Sequence, residues 1–147
     1  MKFIADVMLG KLAKRMRLLG FDVLYDRTLD DNELIRLSLE QRRVILTRDT
    51  ALAERPLAAN HLFITGNSVK DQLDQVLSAF HSKTVPGRLT RCSLCNEALT
   101  SIVKEDAKDL VPRYVYEKQE SFLRCEKCER IYWTGTHVIR MELPQGE

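Results

Sequence analysis

Two kinds of residue in this chain have the type and spacing to do chemistry: paired cysteines toward the carboxyl end and aspartates scattered ahead of them. Cys92/Cys95 and Cys125/Cys128 form two Cys-x-x-Cys pairs, and they are the chain's only cysteines. Two thiolates at this spacing reach one metal ion across a tight turn, and two such pairs complete a tetrahedral four-thiolate shell around Zn²⁺. A shell of that kind leaves no open position for water or substrate, so it holds structure and catalysis must be sought elsewhere. Disulfides are the competing use of four cysteines, and they belong to oxidising compartments. The start Met1-Lys2-Phe3-Ile4-Ala5 runs into Asp6 without the apolar core of a secretory signal. A structural zinc site in a cytoplasmic protein is therefore the expectation.

The acids are individually ordinary. Asp6 follows a short apolar run, Asp30-Asp31 opens a helical stretch that also contains Glu33, and Asp49 follows Val44-Ile45-Leu46-Thr47. In open α/β sheets, functional groups collect where parallel strands give way to loops at the carboxyl edge. Carboxylates gathered there can hold one or two hard cations such as Mg²⁺ or Mn²⁺. Two such ions can activate water and stabilise the leaving oxygen in phosphodiester cleavage. Each acid also has a plainer reading, because Asp6 and Asp49 precede helical segments, where a capping carboxylate contributes about 1 kcal/mol. Spacing alone leaves both readings open. Lys11, Lys14, Arg15 and Arg17 lie opposite or beside the apolar stripe of the first helix. Next to an acidic pocket such a face holds a polyanion; otherwise it is a solvated helix surface.

These groups depend on the elements that carry them. Phe3 to Ala5 reads as a first strand. Met8, Leu9, Leu12, Met16 and Leu19 recur at helical spacing, with Gly20 as the stop. Phe21 to Tyr25 reads as a second strand, and Leu34, Ile35, Leu37 and Leu39 run along the helix opened by Asp30-Asp31. Val44 to Thr47 is a third strand, followed by a helical stretch from Thr50 to Arg55 that Pro56 ends. His61 to Thr65 is a fourth strand, and Ser68 to Phe80 is a helix with Val69, Leu73, Val76, Leu77 and Phe80 on one face. Near-continuous apolar strands alternating with helices predict an α/β domain with a parallel central sheet covered on both sides.

Ser82 to Thr90 has turn residues and little periodicity, which suits a linker. Beyond it come β-like pieces at Arg113–Tyr116, Ser121–Leu123, Arg130–Trp133 and His137–Met141. The span between Cys95 and Cys125 leaves room for a β-hairpin excursion, so the cysteine knuckles and short strands make a small β-rich zinc ribbon. With 147 residues there is space for one ordinary domain or a small one plus a metal module. Lys+Arg 23 against Asp+Glu 21 leaves only +2, so bulk charge carries no argument about a nucleic-acid partner. No window approaches the roughly 18 apolar residues of a spanning helix, and no membrane partner is expected. There is no Ser/His/Asp or Cys/His arrangement and no phosphate-cradling glycine loop, and His61 and His81 join no catalytic constellation.

The runs FIADVMLGKLAKRMRLLGFDV, LDDNEL and RRVILTRDTALAER resemble the PIN-like ribonuclease domain named for the carboxyl end of the Mut-seven exonuclease. The later RCSLCNEAL, VP and FLRCEKCERIYWTGTH resemble the same family's zinc ribbon, and the likeness runs from Phe3 to His137. It implies a PIN-like three-layer domain over residues 1–82, a linker over 83–90, and a four-cysteine ribbon with its tail over 91–147. It further implies a metal-dependent endoribonuclease, with RNA as partner, structural Zn²⁺, and catalytic Mg²⁺ or Mn²⁺. Carried over by motif, Asp6, Asp31 and Asp49 are the metal-holding catalytic acids. Asp30 competes with Asp31, and Asp71 is a thin candidate for a fourth acid. Asn67 and Ser68 are polar candidates at the same edge, while Lys11, Arg15 and Arg48 are placed to position phosphates.

Tyr132 and Trp133 have two readings, stacking on unpaired bases or covering the ribbon's thin core. His137 is expected to be structural or substrate-contacting, since four thiolates already complete the zinc shell. A catalytically silent RNA- or ribosome-binding adaptor that uses the ribbon for recognition is the alternative function. The toxin half of a toxin–antitoxin pair is a third reading.

Overall fold

The computed structural model describes residues 1–80 and 89–133. Four strands, β1 (Lys2–Ala5), β2 (Asp22–Leu24), β3 (Arg43–Thr47) and β4 (His61–Phe63), form a parallel sheet in the order β2-β1-β3-β4. β1 lies directly against β3, with Phe3 opposite Val44 and Ala5 opposite Leu46. Strand order reverses between these two strands, the position where open α/β sheets open a crevice at their carboxyl edge.

Four helices cover the sheet: α1 (Gly10–Leu18), α2 (Asp31–Gln41), α3 (Thr50–Ala53) and α4 (Val69–Ala79). Strand side chains alternate between faces. Phe3, Ala5, Val44 and Leu46 pack with Leu12 and Met16 of α1 and Leu73 and Val76 of α4. Ile4 and Ile45 pack on the other side with Leu34 and Ile35 of α2 and Leu52 of α3. All five residues of β3 are buried, as a central parallel strand requires. This is the three-layer arrangement that the resemblance implies. Among the described residues, no helix is long and apolar enough to cross a membrane.

Local signals account for the helix ends. Ser68 caps α4, its Oγ accepting the Asp71 N–H at 3.0 Å. After α1, Gly20 takes φ 96°, a left-handed conformation that glycine adopts without strain, and its N–H donates to the Arg17 carbonyl. Two apolar residues depart from expectation. Met8 is 59% exposed, because residues Val7–Leu9 form a 3-10 turn whose tighter winding swings Met8 off the α1 stripe. Leu39 also faces solvent, since α2 buries Leu34, Ile35 and Ser38.

A second, antiparallel sheet follows in the order β5 (Thr100–Ile102), β6 (Phe122–Arg124) and β7 (Ile131–Tyr132). The strand expected at Arg113–Tyr116 is instead a helix, α5 (Arg113–Lys118). The Pro112 carbonyl accepts from both Val115 and Tyr116 N–H, which winds the chain at once. Val115 turns inward with Ala107 and Phe122, and Tyr116 stacks on Phe122 at 6.5 Å, while Tyr114 stays exposed. Packing has overridden the β preference of Tyr and Val. The excursion between β5 and β6 is thus a 3-10 turn (Lys104–Ala107) plus α5, where a hairpin was expected. Residues 83–88 of the linker, His81, the expected strand at His137–Met141 and His137 itself lie outside the described residues.

The two sheets meet through buried polar contacts. Arg17, placed by sequence on a basic helix face, is only 4% exposed. Its Nε donates to the Val23 carbonyl at 2.9 Å, and its Nη1 donates to the Ser93 and Leu94 carbonyls at 2.9 and 3.2 Å. Asn96 adds a second tie, accepting the Val23 N–H at 3.1 Å and donating to Asp22 Oδ1 at 2.7 Å. Leu89 donates its N–H to the Leu18 carbonyl and is buried with Leu18, Cys92, Cys125 and Tyr132. Arg17→Met keeps length and removes the donors, leaving buried carbonyls unpaired. Urea unfolding should show a loss of about 3 kcal/mol; a loss below about 1 kcal/mol means that the carbonyls find other partners.

Candidate active site and metal centre

The acids sit at the carboxyl edge of the parallel sheet, on three separate connections. Asp6 follows β1 and is 7% exposed. Its Oδ1 accepts the Val7 N–H at 2.7 Å, and its Oδ2 accepts the Thr47 hydroxyl at 2.9 Å. The same Thr47 Oγ1 accepts the Asp49 N–H at 2.9 Å. Thr47 is fully buried, so one hydroxyl at the end of β3 holds the Asp6 carboxylate and the Asp49 backbone in fixed relation. Asp49 Oδ1 in turn caps α3, accepting from Ala51 at 2.9 Å and Leu52 at 3.4 Å.

Asp30 and Asp31 divide the work at the start of α2. Asp30 is the N-cap, its Oδ1 accepting the Glu33 N–H at 2.8 Å. Asp31 is pushed above the ordinary carboxylate value, first by partial burial and then by repulsion from Asp6 and Asp49, against the attraction of Arg55. Asp31 is thus within reach of the charge of Asp6 and Asp49, though the three carboxylates do not close into a tight cluster of metal ligands as the cysteines do. The capping reading also holds for Asp6, Asp30 and Asp49, and capping leaves lone pairs on each carboxylate. Asp71 is exposed in the first turn of α4.

The cations are distributed around this edge. Arg48 reaches across to the loop after β4, where Nη1 donates to the Gly66 carbonyl and Nη2 to Asn67 Oδ1 at 3.2 Å. Lys11 is exposed on α1, whereas Arg15 is 6% exposed. Arg55 donates to Asn32 Oδ1 at 2.6 Å, beside Asp31. Thr47 and Arg55 were not singled out from sequence. A hydroxyl-bearing, β-branched residue closing a strand just before an acid was the available signal for Thr47.

The four cysteine sulfurs all lie within 4.8 Å of one another, the one such cluster of potential metal ligands among the described residues. Cys92 and Cys128 Sγ are 3.7 Å apart, close to the roughly 3.8 Å edge of a tetrahedron with Zn–S bonds of about 2.3 Å. The two knuckles share one design. Asn96 and Glu129, each just after the second cysteine of its pair, adopt left-handed φ of 65° and 66°. Their N–H groups donate back to the Cys92 and Cys125 carbonyls at 2.9 and 2.7 Å.

Tyr132 is buried, and its Oη lies 3.2 Å from Cys92 Sγ and accepts the Ser93 N–H at 3.0 Å. It is core rather than a stacking platform, and Trp133 is half-buried against the cluster of Ala107, Val115 and Phe122. Burial opposes the Cys92 thiolate, but hydrogen bonds from Tyr132 and from the Cys95 and Leu94 N–H groups bring its pKa down to about 7. Burial, the Cys128 hydrogen bond and repulsion from Cys92 push Cys95 up to about 12. A set of thiols that resists ionising together is what a divalent cation satisfies.

Thr47→Val keeps the shape of the side chain and removes the hydroxyl. It should cost about 2 kcal/mol of stability, with the Asp49 N–H left unpaired. Thr47→Ser should restore most of that in the same denaturant titration. If Thr47→Val is neutral, the hydroxyl is not what joins the two acids.

No curated protein and no solved structure matches the chain. The family model described as the Mut7-C RNAse domain matches residues 1–143. That span takes in the acidic edge, the Arg17 contact and both cysteine knuckles, and the chain belongs to the Mut7-C RNAse domain family.

Proposed function

We propose that the protein is a metal-dependent endoribonuclease whose acidic edge holds Mg²⁺ or Mn²⁺ and whose cysteine cluster holds a structural Zn²⁺. The observation that carries this reading is the Thr47 hydroxyl, which holds the Asp6 carboxylate and the Asp49 backbone together at the sheet edge where the strand order reverses. The Asp31 carboxyl, raised first by partial burial and then by the charge of Asp6 and Asp49, supports it. Membership of a ribonuclease-domain family supplies the reaction class.

Asp6, Asp31 and Asp49 would hold the divalent cation. When bound, it activates water and stabilises the leaving oxygen of the phosphodiester. Thr47 orients Asp6 through its Oδ2. Lys11, exposed, and Arg48, fixed by the loop after β4, draw the phosphates to the edge. Arg15 is 6% exposed, which leaves less of it than of Lys11 to meet a phosphate. Asp30 serves as a cap, and Asp71 would at most join when substrate is present. Residues 1–82 make the nuclease unit and 91–147 the ribbon, with 83–90 joining them and Leu89 already seated against α1.

Asp49→Asn preserves the cap on α3, since asparagine accepts the same N–H bonds, but removes the charge. Mn²⁺-dependent cleavage of mixed single-stranded and structured RNA should fall by more than the roughly 10–100-fold typical of an outer-shell change. Wild-type rates in Asp49→Asn would remove Asp49 from the site. RNA binding without cleavage in any divalent metal would favour the adaptor reading instead.

Zinc is expected at one ion per chain by elemental analysis and lost in Cys125→Ser. Because Arg17 ties the Cys92 knuckle to α1 and β2, stripping zinc should also loosen the parallel-sheet half. Hydrogen exchange at Val23 and its β2 neighbours should quicken. Unchanged protection there would mean that the ribbon folds independently.

A further inference from the structure

Arg55 follows α3, the turn that Asp49 caps at its start, and reaches back to the first turn of α2. Its backbone is held on both sides. The N–H donates to the Leu52 carbonyl at 3.1 Å, and the carbonyl accepts the Ala58 N–H at 2.9 Å. Pro56 comes next, and a residue before proline is confined to extended backbone, which Arg55 adopts at ψ 135°. The side chain is half-buried, and its Nη2 donates to Asn32 Oδ1 at 2.6 Å. This bond joins the connection that carries Asp49 to the residue beside Asp31, as the Thr47 hydroxyl joins Asp49 to Asp6.

Asn32 is the one hydrogen-bond partner of that side chain among the described residues, and no carboxylate there forms an ion pair with it. Its charge nevertheless acts on the Asp31 carboxyl. An arginine whose task was to neutralise the acids would pair with one of them directly, fork against carboxylate. Such a pair would also occupy the oxygens that a divalent cation needs. A neutral amide as tether leaves the positive charge uncompensated, and it takes one of the five N–H donors of the guanidinium. The others match the non-bridging oxygens of a phosphodiester laid against the acids. Lys11 and Arg48 are differently placed. Lys11 is an exposed ammonium, and Arg48 spends both terminal nitrogens on the loop after β4.

We propose that Arg55 is a catalytic residue whose guanidinium, aimed by Asn32, grips the non-bridging oxygens of the phosphodiester while it is cut. The proposal rests on the nuclease reading and adds to it the group that meets the charge developing on the substrate. In the hydrolysis a water oxygen bonds to phosphorus, the bond to the leaving oxygen breaks, and one of the water's protons ends on that oxygen. Negative charge spreads over the oxygens around phosphorus between these events. A donor already fixed there acts most strongly in the transition state.

The test compares full-length variants on RNA in saturating Mn²⁺. Arg55→Gln should lower kcat by roughly 100-fold, the usual cost of removing one preorganised donor, with KM little changed. Arg55→Lys keeps the charge without the fork and should recover only a small part of that loss. Asn32→Ala, at an exposed position, frees the guanidinium and should cost about tenfold in kcat. Mn²⁺ affinity without RNA, read from the spin-resonance signal of the ion, should be the same in Arg55→Gln as in the wild type, and so should the thermal unfolding midpoint. A mere counter-ion of the acids gives another pattern: Arg55→Gln binds Mn²⁺ more tightly and cuts at the wild-type kcat once the ion is saturating. That pattern, or full activity in Arg55→Lys, overturns the assignment and leaves the nuclease standing. If the wild type cuts no RNA in Mn²⁺, the nuclease reading fails and the role of Arg55 falls with it.

Discussion

The adjacency of β1 and β3 is the constraint from which the candidate site follows. Parallel pairing from Lys2–Arg43 to Ala5–Leu46 ends both strands at the same edge, so Asp6 and the turn carrying Asp49 emerge side by side. The backbone register continues one step past the strands, with the Asp6 N–H donating to the Leu46 carbonyl at 2.9 Å. Thr47 then converts register into side-chain position, because its hydroxyl can reach Asp6 only if that register holds. A slip of one residue would turn Thr47 to the opposite face and break both of its bonds. The positioning of the acids is thus a consequence of sheet pairing, and the buried apolar run of β3 secures it.

Two assemblies of like charge sit on this framework, and they differ in how much of their repulsion the protein itself relieves. At the acidic edge, Asp6 is buried and held by hydrogen bonds from Thr47 and Val7, while Asp31 is exposed and lies near Arg55. In the cysteine cluster, Cys92 alone is brought toward ionisation, by Tyr132 and backbone donors, while Cys95 and Cys125 are pushed the other way. A loosely gathered set of oxygens, part buried and part exposed, suits a hard cation that keeps part of its water. A tight set of sulfurs suits a cation held permanently. On the proposed function, the first is the place for chemistry and the second the place for structure.

Arg17 links the two. Burying a guanidinium is costly unless its donors are met, and here three carbonyls meet them. Burial lowers the Arg17 pKa, while negative charge at Cys92, Cys95 and Asp22 works to hold its proton. A four-thiolate zinc site carries net negative charge, so the guanidinium both ties down the knuckle backbone and faces a compensating charge. The ribbon is in this way part of the support for α1, the helix whose other end follows the turn that Asp6 caps.

Local patterns alone determined much of this protein. Apolar runs and helical spacing marked the four parallel strands and the helices around them, because burial on two faces leaves a strong periodic trace. The cysteine spacing marked the knuckles, because metal geometry is local. The motif match selected Asp6, Asp31 and Asp49 without locating them in space. Tertiary structure decided the rest. Asp30 competes with Asp31 in sequence, and only the folded chain shows Asp30 committed to capping α2, while the Asp31 carboxyl is raised by partial burial and by the charge of Asp6 and Asp49. Arg17 reads as a surface cation until the knuckle covers it, and Arg113–Tyr116 reads as a strand until Phe122 gives Val115 and Tyr116 something to wind onto. Periodicity records which side of an element is apolar, but the partner that a polar side chain meets lies far away in sequence and is settled only when distant segments pack together.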